Sequence, residues 1–377
     1  MERVYWGQPA SEVLAKEFDI LQVKRVFVIT NRSLSQSKSL NEIVVALGER
    51  YAGMFAGVTA HSPRSCVVAG ALAARTAGAD LLLAVGGGSV IDAAKAMLLC
   101  LRHGYTEVAQ LEPHAGVRPI DVGHAPPDAA EWTRVVTVPT TLSGAEFSAS
   151  AGLTDPTRGM KHGFTHPMQM PQAVILDPAL TLDTPLAMLK STGMKAIDHA
   201  AERITSANAN PYSDEVSELA LRLLFEALIA LDEQPESLQL RSKLQYGMFM
   251  SLCGSASGVA VNVSHALGHV LGAHAGVPHG DTTGLVLPAV LRWNRDASAP
   301  AQAMIARALG RDDGDAATAV SALVQRLGLP LRLRDAGVAR EDLPEIARKT
   351  LHEPLLRNSR KPVTGAADIE AILELAW

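Results

Sequence analysis

The chain has 377 residues, 47% of them apolar and 19% charged, and a formal net charge of −5. That balance describes a globular protein with no electrostatic reason to bind nucleic acid or an anionic membrane, and aromatic residues at 4% leave little for base stacking. The length predicts two domains of roughly 150–200 residues each.

The opening "MERVYWGQPASEVLAKEF" carries acidic residues where a signal peptide has its apolar run. No stretch approaches the ~18 apolar residues of a spanning helix, so a cytoplasmic location is expected. Up to about residue 180, compact apolar runs alternate with helical patterns. "KRVFVIT" (24–30) leads into Asn31 and Arg32, and "ADLLLAV" (79–85) feeds "GGGS" and then the helical "VIDAAKAMLLCL". Between strands lies "EVAQLEPHAGVRPIDVGHAPPDAAEW" (107–132), long for a connection and read as a surface excursion. "RVVTVPTT" (134–141) and "QAVILDP" (172–178) are two more runs. Buried runs separated by helical segments predict a mostly parallel sheet with helices on both faces. From about 181 onward "PLAMLKSTGMKAIDHAAERI", "SDEVSELALRLLFEALIAL", "SLQLRSKLQYGMFMSLCGSASG" and "IEAILELAW" keep helical periodicity. The predicted organisation is an α/β domain over 1–180 and an all-helical domain over 181–377. Cys66, Cys100 and Cys253 stand far apart in apolar contexts and read as reduced thiols rather than a zinc or disulfide framework.

Three stretches carry chemistry. In "AVGGGSVIDAAK" (84–95) a buried strand runs into Gly86, Gly87, Gly88 and Ser89 and a helix starts at once. Glycines let a backbone approach a pyrophosphate, and a helix N-terminus offers unpaired N–H groups and a favourable dipole. The spacing is not GxGxxG, so the turn also reads as plain structure. "VPTTLSGAEFS" ends another strand with the hydroxyls of Thr140 and Thr141, suited to ribose or phosphate. "VSHALGHVLGAHAGVPHGDTTGLVLP" (263–288) gathers His265, His269, His274 and His279, four of the chain's 12 histidines, and points to metal ligands or proton donors.

Taken in order, GGGS, PTT, GM-x-A-x-x-H and H-x3-H-x9-H-G make the chain resemble the iron-containing (group III) alcohol dehydrogenase family over essentially its whole length. The resemblance implies the dehydroquinate synthase-like fold: an α/β domain holding NAD(P), an all-α C-terminal domain, a cleft between them and a homodimer. It implies that Gly87, Gly88 and Ser89 hold the pyrophosphate and that Thr140, Thr141 and Lys161 line the cofactor site, with Asn31 and Asp92 beside them. In metal-using members an aspartate and three histidines bind the ion; the histidines correspond to His199, His265 and His279. His269 corresponds to the histidine near the nicotinamide, the expected proton relay.

The aspartate corresponds to Lys195. A protonated lysine offers no lone pair, and its charge would repel a divalent ion in a low-dielectric cleft, so metal is expected to be absent. Asp198 is expected to face away from His199, since consecutive helical positions point about 100° apart. Lys195 then either stands in the active site with His269, His199, His265 and His279 or snorkels to solvent. "PTTLSGAE" and "DPALTLDTP" resemble the maleylacetate reductase branch of the family. The expected activity is therefore metal-independent, NADH- or NADPH-dependent reduction of maleylacetate or a similar unsaturated or oxo dicarboxylate, as in aromatic-compound degradation. Asn31 and Arg32 leave the choice of nucleotide open. The alternatives are an iron- or zinc-dependent alcohol or aldehyde dehydrogenase and a cyclising lyase resembling dehydroquinate synthase.

Overall fold

The computed structural model describes residues 1–116, 126–155, 160–278 and 280–377. The chain divides into two compact units, Met1–Thr184 and Pro185–Trp377.

In the first unit the elements run β1 (Arg3–Trp6), α1 (Ala10–Ile20), β2 (Val26–Ile29), α2 (Lys38–Leu47), β3 (Tyr51–Phe55), α3 (Arg64–Thr76), β4 (Leu81–Gly86) and α4 (Gly88–His103). They continue as β5 (Arg134–Pro139), β6 (Ser150–Asp155), β7 (Met160–Thr165) and β8 (Ala173–Leu176). Six strands form one sheet in the order β1-β8-β5-β4-β2-β3, and every pairing in it is parallel. β6 and β7 form a separate antiparallel hairpin.

The central strands read as unbroken apolar runs because helices cover both of their faces. Alternation along β4 decides which residue meets which layer. Leu81, Leu83 and Val85 pack with α1 and α2 through Leu14, Phe18, Leu40 and Ile43. Leu82 and Ala84 pack on the other side with Val67, Ala71, Ile91 and Met97 of α3 and α4. Each fully buried Leu, Ile or Met side chain contributes about 1.5–3 kcal/mol to holding these layers together. Register then sets the site. Ile29 pairs with Ala84 and Gly86 with Pro139, so the turns after β2, β4 and β5 leave from one end of the sheet.

The second unit contains α5 (Leu186–Ile204), α6 (Pro211–Ala230), α7 (Leu238–Cys253), α8 (Val263–Ala275), α9 (Asp281–Trp293), α10 (Arg295–Ala308), α11 (Ala316–Arg326), α12 (Leu343–Thr350) and α13 (Ala366–Ala376). Among its described residues the sole β contact is an isolated bridge between Ser206 and Ser359. Val263, Leu267 and Leu271 of α8 share a core with Val286 and Val290 of α9 and with Ile369 and Leu373 of α13. Among the described residues no helix is long and apolar enough to cross a membrane.

The α/β-then-helical fold class agrees with the sequence reading. Three features were not anticipated. β1 and β3 are short edge strands, β1 opening on Arg3 and β3 interrupted by Gly53, and the β6–β7 hairpin carries Gly152 and Gly163, so none shows the long apolar run of the central strands. Of the excursion at 107–132, Val108–His114 and Ala129–Glu131 form tight helical turns, and residues 117–125 lie outside the described residues. Cys66 and Cys100 are buried, Cys253 is half-buried, and all three are free; burial pushes the Cys100 thiol up to about 12.

Candidate active site

At the sheet's carboxyl end α4 starts without a side-chain cap: Gly87 is its N-cap residue and Gly88 its first residue. The first-turn N–H groups of a helix have no intrahelical acceptor, and this long helix aims its positive end at the turn. Gly86 sits at φ +156°, a conformation that side chains rarely adopt. A Cβ at Gly87 would lie 3.0 Å from Thr141 Cγ2, and one at Gly88 would lie 2.8 Å from Ser143 Oγ. Glycine is thus required for the turns after β4 and β5 to touch. Thr140 N–H donates to the Gly86 carbonyl at 3.1 Å and locks the two together. Ser89 Oγ accepts the His61 N–H at 3.2 Å, and the Ser62 hydroxyl donates to the Ser89 carbonyl at 2.8 Å. His61 and Ser62 both hold positive φ, +63° and +48°, a strained pair at the rim of this turn.

Asp92, on the first turns of α4, accepts the Gly152 N–H at 3.1 Å and lies 3.2 Å from Lys95 Nζ. A Cβ at Gly152 would stand 2.9 Å from Lys161 Nζ and 3.5 Å from Asp92 Oδ2, so the hairpin brings Lys161 beside Asp92. Asn31 follows β2 at the same end of the sheet, where its Oδ1 accepts the Leu34 N–H at 2.9 Å. Gly87, Gly88, Ser89, Asp92, Thr140, Thr141 and Lys161 therefore gather around the turns after β4 and β5. That is where an open α/β sheet binds its ligands. The sequence reading passed over Glu146. It is fully buried, neither oxygen has a hydrogen-bond partner among the described residues, and burial pushes it up to about 7 against the pull of Lys95.

The second unit assembles a polar cluster between α5 and α8. Lys195, Asp198, His199 and Glu202 fall on one stripe of α5 at helical spacing, and α8 supplies His265. Lys195 Nζ lies 3.1 Å from Asp198 Oδ2, which also accepts the Thr283 hydroxyl at 3.0 Å. His265 Nδ1 lies 2.7 Å from Glu202 Oε2 and 3.3 Å from Asp198 Oδ2. The rings of His199 and His265 stack with centroids 4.8 Å apart. Burial, with the positive charge of Lys195 and Arg203 nearby, lowers both imidazoles well below their ordinary range, and both stay neutral at neutral pH. Burial alone would raise the Asp198 carboxyl; the Nδ1 edge of His265, 3.3 Å away, and the Lys195 ammonium outweigh it and hold it below the usual range.

One expectation is corrected by this geometry, and one open choice, for Lys195, is narrowed. Asp198 does not turn away from the histidines: it is three residues after Lys195, so it shares that face and reaches His265. Lys195 does not snorkel to solvent, because it is 2% exposed and its ammonium is held by Asp198. His269 lies one turn beyond His265 with its side chain 40% exposed, and its Nδ1 is 3.2 Å from Glu353 Oε2. His274 lies nearer the C-terminal end of α8, with Nδ1 2.9 Å from Lys349 Nζ. His279 lies outside the described residues. Glu202 was legible as the last member of the K-x2-D-x3-E stripe, whereas Glu353 stands 84 residues from its histidine and left no local signal.

The strand–glycine turn–helix, the hydroxyl-bearing turn packed on it and the histidine cluster of a following helical unit define a two-unit oxidoreductase. The sequence pattern of the iron-containing alcohol dehydrogenase family matches residues 2–178, and that of the C-terminal part of the Fe-containing alcohol dehydrogenase family matches residues 190–377. The chain belongs to this family, in its maleylacetate reductase-like branch, and is an NAD(P)-dependent oxidoreductase. It is 30% identical to maleylacetate reductase 1 of Cupriavidus pinatubonensis (strain JMP 134 / LMG 1197) over 345 residues, covering 91% of this chain and 87% of that one. It is 31% identical to a maleylacetate reductase of Burkholderia cepacia over 353 residues, covering 93% and 90%. The crystal structure of maleylacetate reductase from Rhizobium sp. strain MTP-10005 superimposes with a TM-score of 0.81 at 28% identity, over 100% of this chain and 96% of that one.

Proposed function

We propose that this protein uses NADH or NADPH to reduce maleylacetate or a similar unsaturated or oxo dicarboxylate, and that it does so without a metal ion. The observation that carries the reading is the buried Lys195–Asp198 pair inside the histidine cluster.

The chemistry of the buried donors favours this choice. Asp198, Glu202 and His265 bring ligand-type atoms within 4.8 Å of one another, the kind of group that could hold a cation. Yet Glu202 already accepts backbone N–H groups from Asn262, Ser264 and His265, and the Asp198 oxygen that faces His265 also faces the Lys195 ammonium. A divalent ion would meet a fixed positive charge in a low-dielectric interior, and it would have to displace N–H donors from its own ligands. The donor set does not suit the ion in the family's name.

The turn after β4 suits a dinucleotide. Gly87, Gly88 and Ser89 would take the pyrophosphate, with Thr140, Thr141, Asp92 and Lys161 around it and Asn31 at the strand end beyond. When bound, the reduced nicotinamide supplies the hydride. Charge then builds on the substrate oxygen, and neighbouring cations and hydrogen-bond donors lower that barrier. His269, partly exposed and braced by Glu353, is proposed as the proton relay. His199 and His265 present neutral imidazoles, and the Lys195 charge behind them favours an anionic substrate. The substrate is a small carbonyl compound bearing carboxylates, and the working assembly is proposed to be a homodimer in the cytoplasm.

Turnover of a panel of oxo dicarboxylates, simple aldehydes and alcohols with NADH and with NADPH tests the reading. Activity on the dicarboxylates that persists in chelator supports it; activity confined to simple alcohols or aldehydes overturns it.

A further inference from the structure

Glu202 stands near the end of α5, is 1% exposed, and reaches into the first turn of α8. The start of a helix leaves backbone N–H groups without partners, and a side chain at the N-cap ordinarily takes one of them. Here Asn262 fills that role, its Oδ1 accepting the Val263 N–H at 2.7 Å. The N–H groups of Ser264 and His265 go instead to a residue of another helix: Glu202 Oε1 accepts the first at 2.6 Å and Oε2 the second at 3.3 Å. Oε2 also accepts the Asn262 N–H at 2.9 Å, and the Asn262 side-chain amide donates to the Glu202 carbonyl at 2.8 Å. The same Oε2 lies 2.7 Å from Nδ1 of the His265 ring. One carboxyl group thus completes the start of a helix and grips the side chain of a residue in its first turn.

That grip settles which edge of the ring remains available. Nδ1 is committed to Glu202, with Asp198 Oδ2 as its second neighbour at 3.3 Å. Nε2, the other polar atom of the ring, is buried without a hydrogen-bond partner among the described residues, and so is Nδ1 of the stacked His199. Buried nitrogens in polar sites are normally satisfied, so two of them on adjacent rings mark where a ligand's polar atom belongs.

We infer that Glu202 is the positioning residue of this site: by holding His265 Nδ1 and the first turn of α8 together, it presents the Nε2 edge of His265 to the substrate. A carboxylate behind a functional imidazole fixes the ring's orientation, and loss of such a partner typically costs roughly 10- to 100-fold in function. For its kinetic arm the inference rests on the reductase reading above. Its spectroscopic arm does not.

The test uses the full-length protein with ¹⁵N-labelled histidine. A proton confined between Nδ1 and a carboxyl oxygen gives a slowly exchanging, strongly downfield resonance, assigned by its loss in His265→Gln. The resonance is expected in the wild type and in Asn262→Ala, which removes the Val263 cap and the side-chain amide hydrogen bond to the Glu202 carbonyl but leaves the Glu202 carboxyl contacts in place, and it should vanish in Glu202→Ala. Glu202→Ala should lower kcat roughly 10- to 100-fold with KM for the carbonyl substrate within about threefold, while Asn262→Ala loses thermal stability and keeps its kcat. If Glu202→Ala does not fold, Glu202→Gln replaces it and should shift the resonance and lower kcat about tenfold. A resonance unchanged in a folded Glu202 variant, or kcat within twofold of the wild type, overturns the inference. A wild type that reduces no dicarboxylate while the resonance behaves as expected overturns the reductase reading and leaves the role of Glu202 in place.

Discussion

The two units build their polar clusters differently. The turn after β4 is made of backbone: glycines that allow close packing, a helix start, and two neighbouring turns brought together by parallel register. The cluster on α5 and α8 is made of side chains, each holding the next, from Lys195 to Asp198 to His265 to Glu202. A backbone site tolerates changes in its surroundings and is weakened when a Cβ intrudes. A side-chain network is rewired by one residue, and Lys195 is that residue here. An ammonium in place of a carboxylate recruits Asp198 as its counter-ion, and Asp198 in turn lies against His265.

Lys195→Met should disturb the side-chain network most. Removing one partner leaves Asp198 buried without its ammonium, and loss of about 3–5 kcal/mol of stability is expected from chemical denaturation; a loss below about 1 kcal/mol would show that the pair is not the network's anchor. Glu146 tests the first unit by pH. Its carboxyl is raised from 4.5 to about 7, so between those values the folded state keeps a proton that the unfolded chain has released. Stability from this group is therefore present below the lower value and lost as pH rises through the upper one. Glu146→Gln should gain on the wild type across that window by about 3 kcal/mol at most. A stability difference that stays flat from about pH 4 to pH 8 would contradict it. His269→Ala should lower kcat roughly 10²-fold with nucleotide affinity little changed, and near-wild-type turnover would remove His269 from proton transfer. The smallest effect is expected for Gly88→Ala, whose methyl group meets Ser143 Oγ in the turn. Nucleotide affinity should fall about tenfold, some 1.4 kcal/mol, read by fluorescence titration.

The same contrast explains what could be read in the sequence. "ADLLLAV" followed by "GGGS" signals a buried strand, a turn and a helix start because period, composition and punctuation agree within a dozen residues. The histidines of α8 were legible from their i, i+4 spacing. Where Asp198 points was not. Consecutive helical positions do point about 100° apart, but a position on a helix face is shared with residues three and four away, and Lys195 supplies the attraction. Glu353 beside His269, Glu202 capping α8, and His61 and Ser62 beside Ser89 depend on contacts between distant segments. No local pattern encodes them.

In the site proposed above, the Lys195–Asp198 pair takes the place of a metal ion. Elemental analysis of purified wild-type protein, with turnover of an oxo dicarboxylate measured before and after exhaustive chelation, tests it directly. Well under one equivalent of iron or zinc per chain and unchanged turnover in chelator are expected, whereas Lys195→Asp should gain affinity for zinc or ferrous iron. Stoichiometric metal in the wild type, with activity abolished by chelation and restored when the ion is added back, would contradict it.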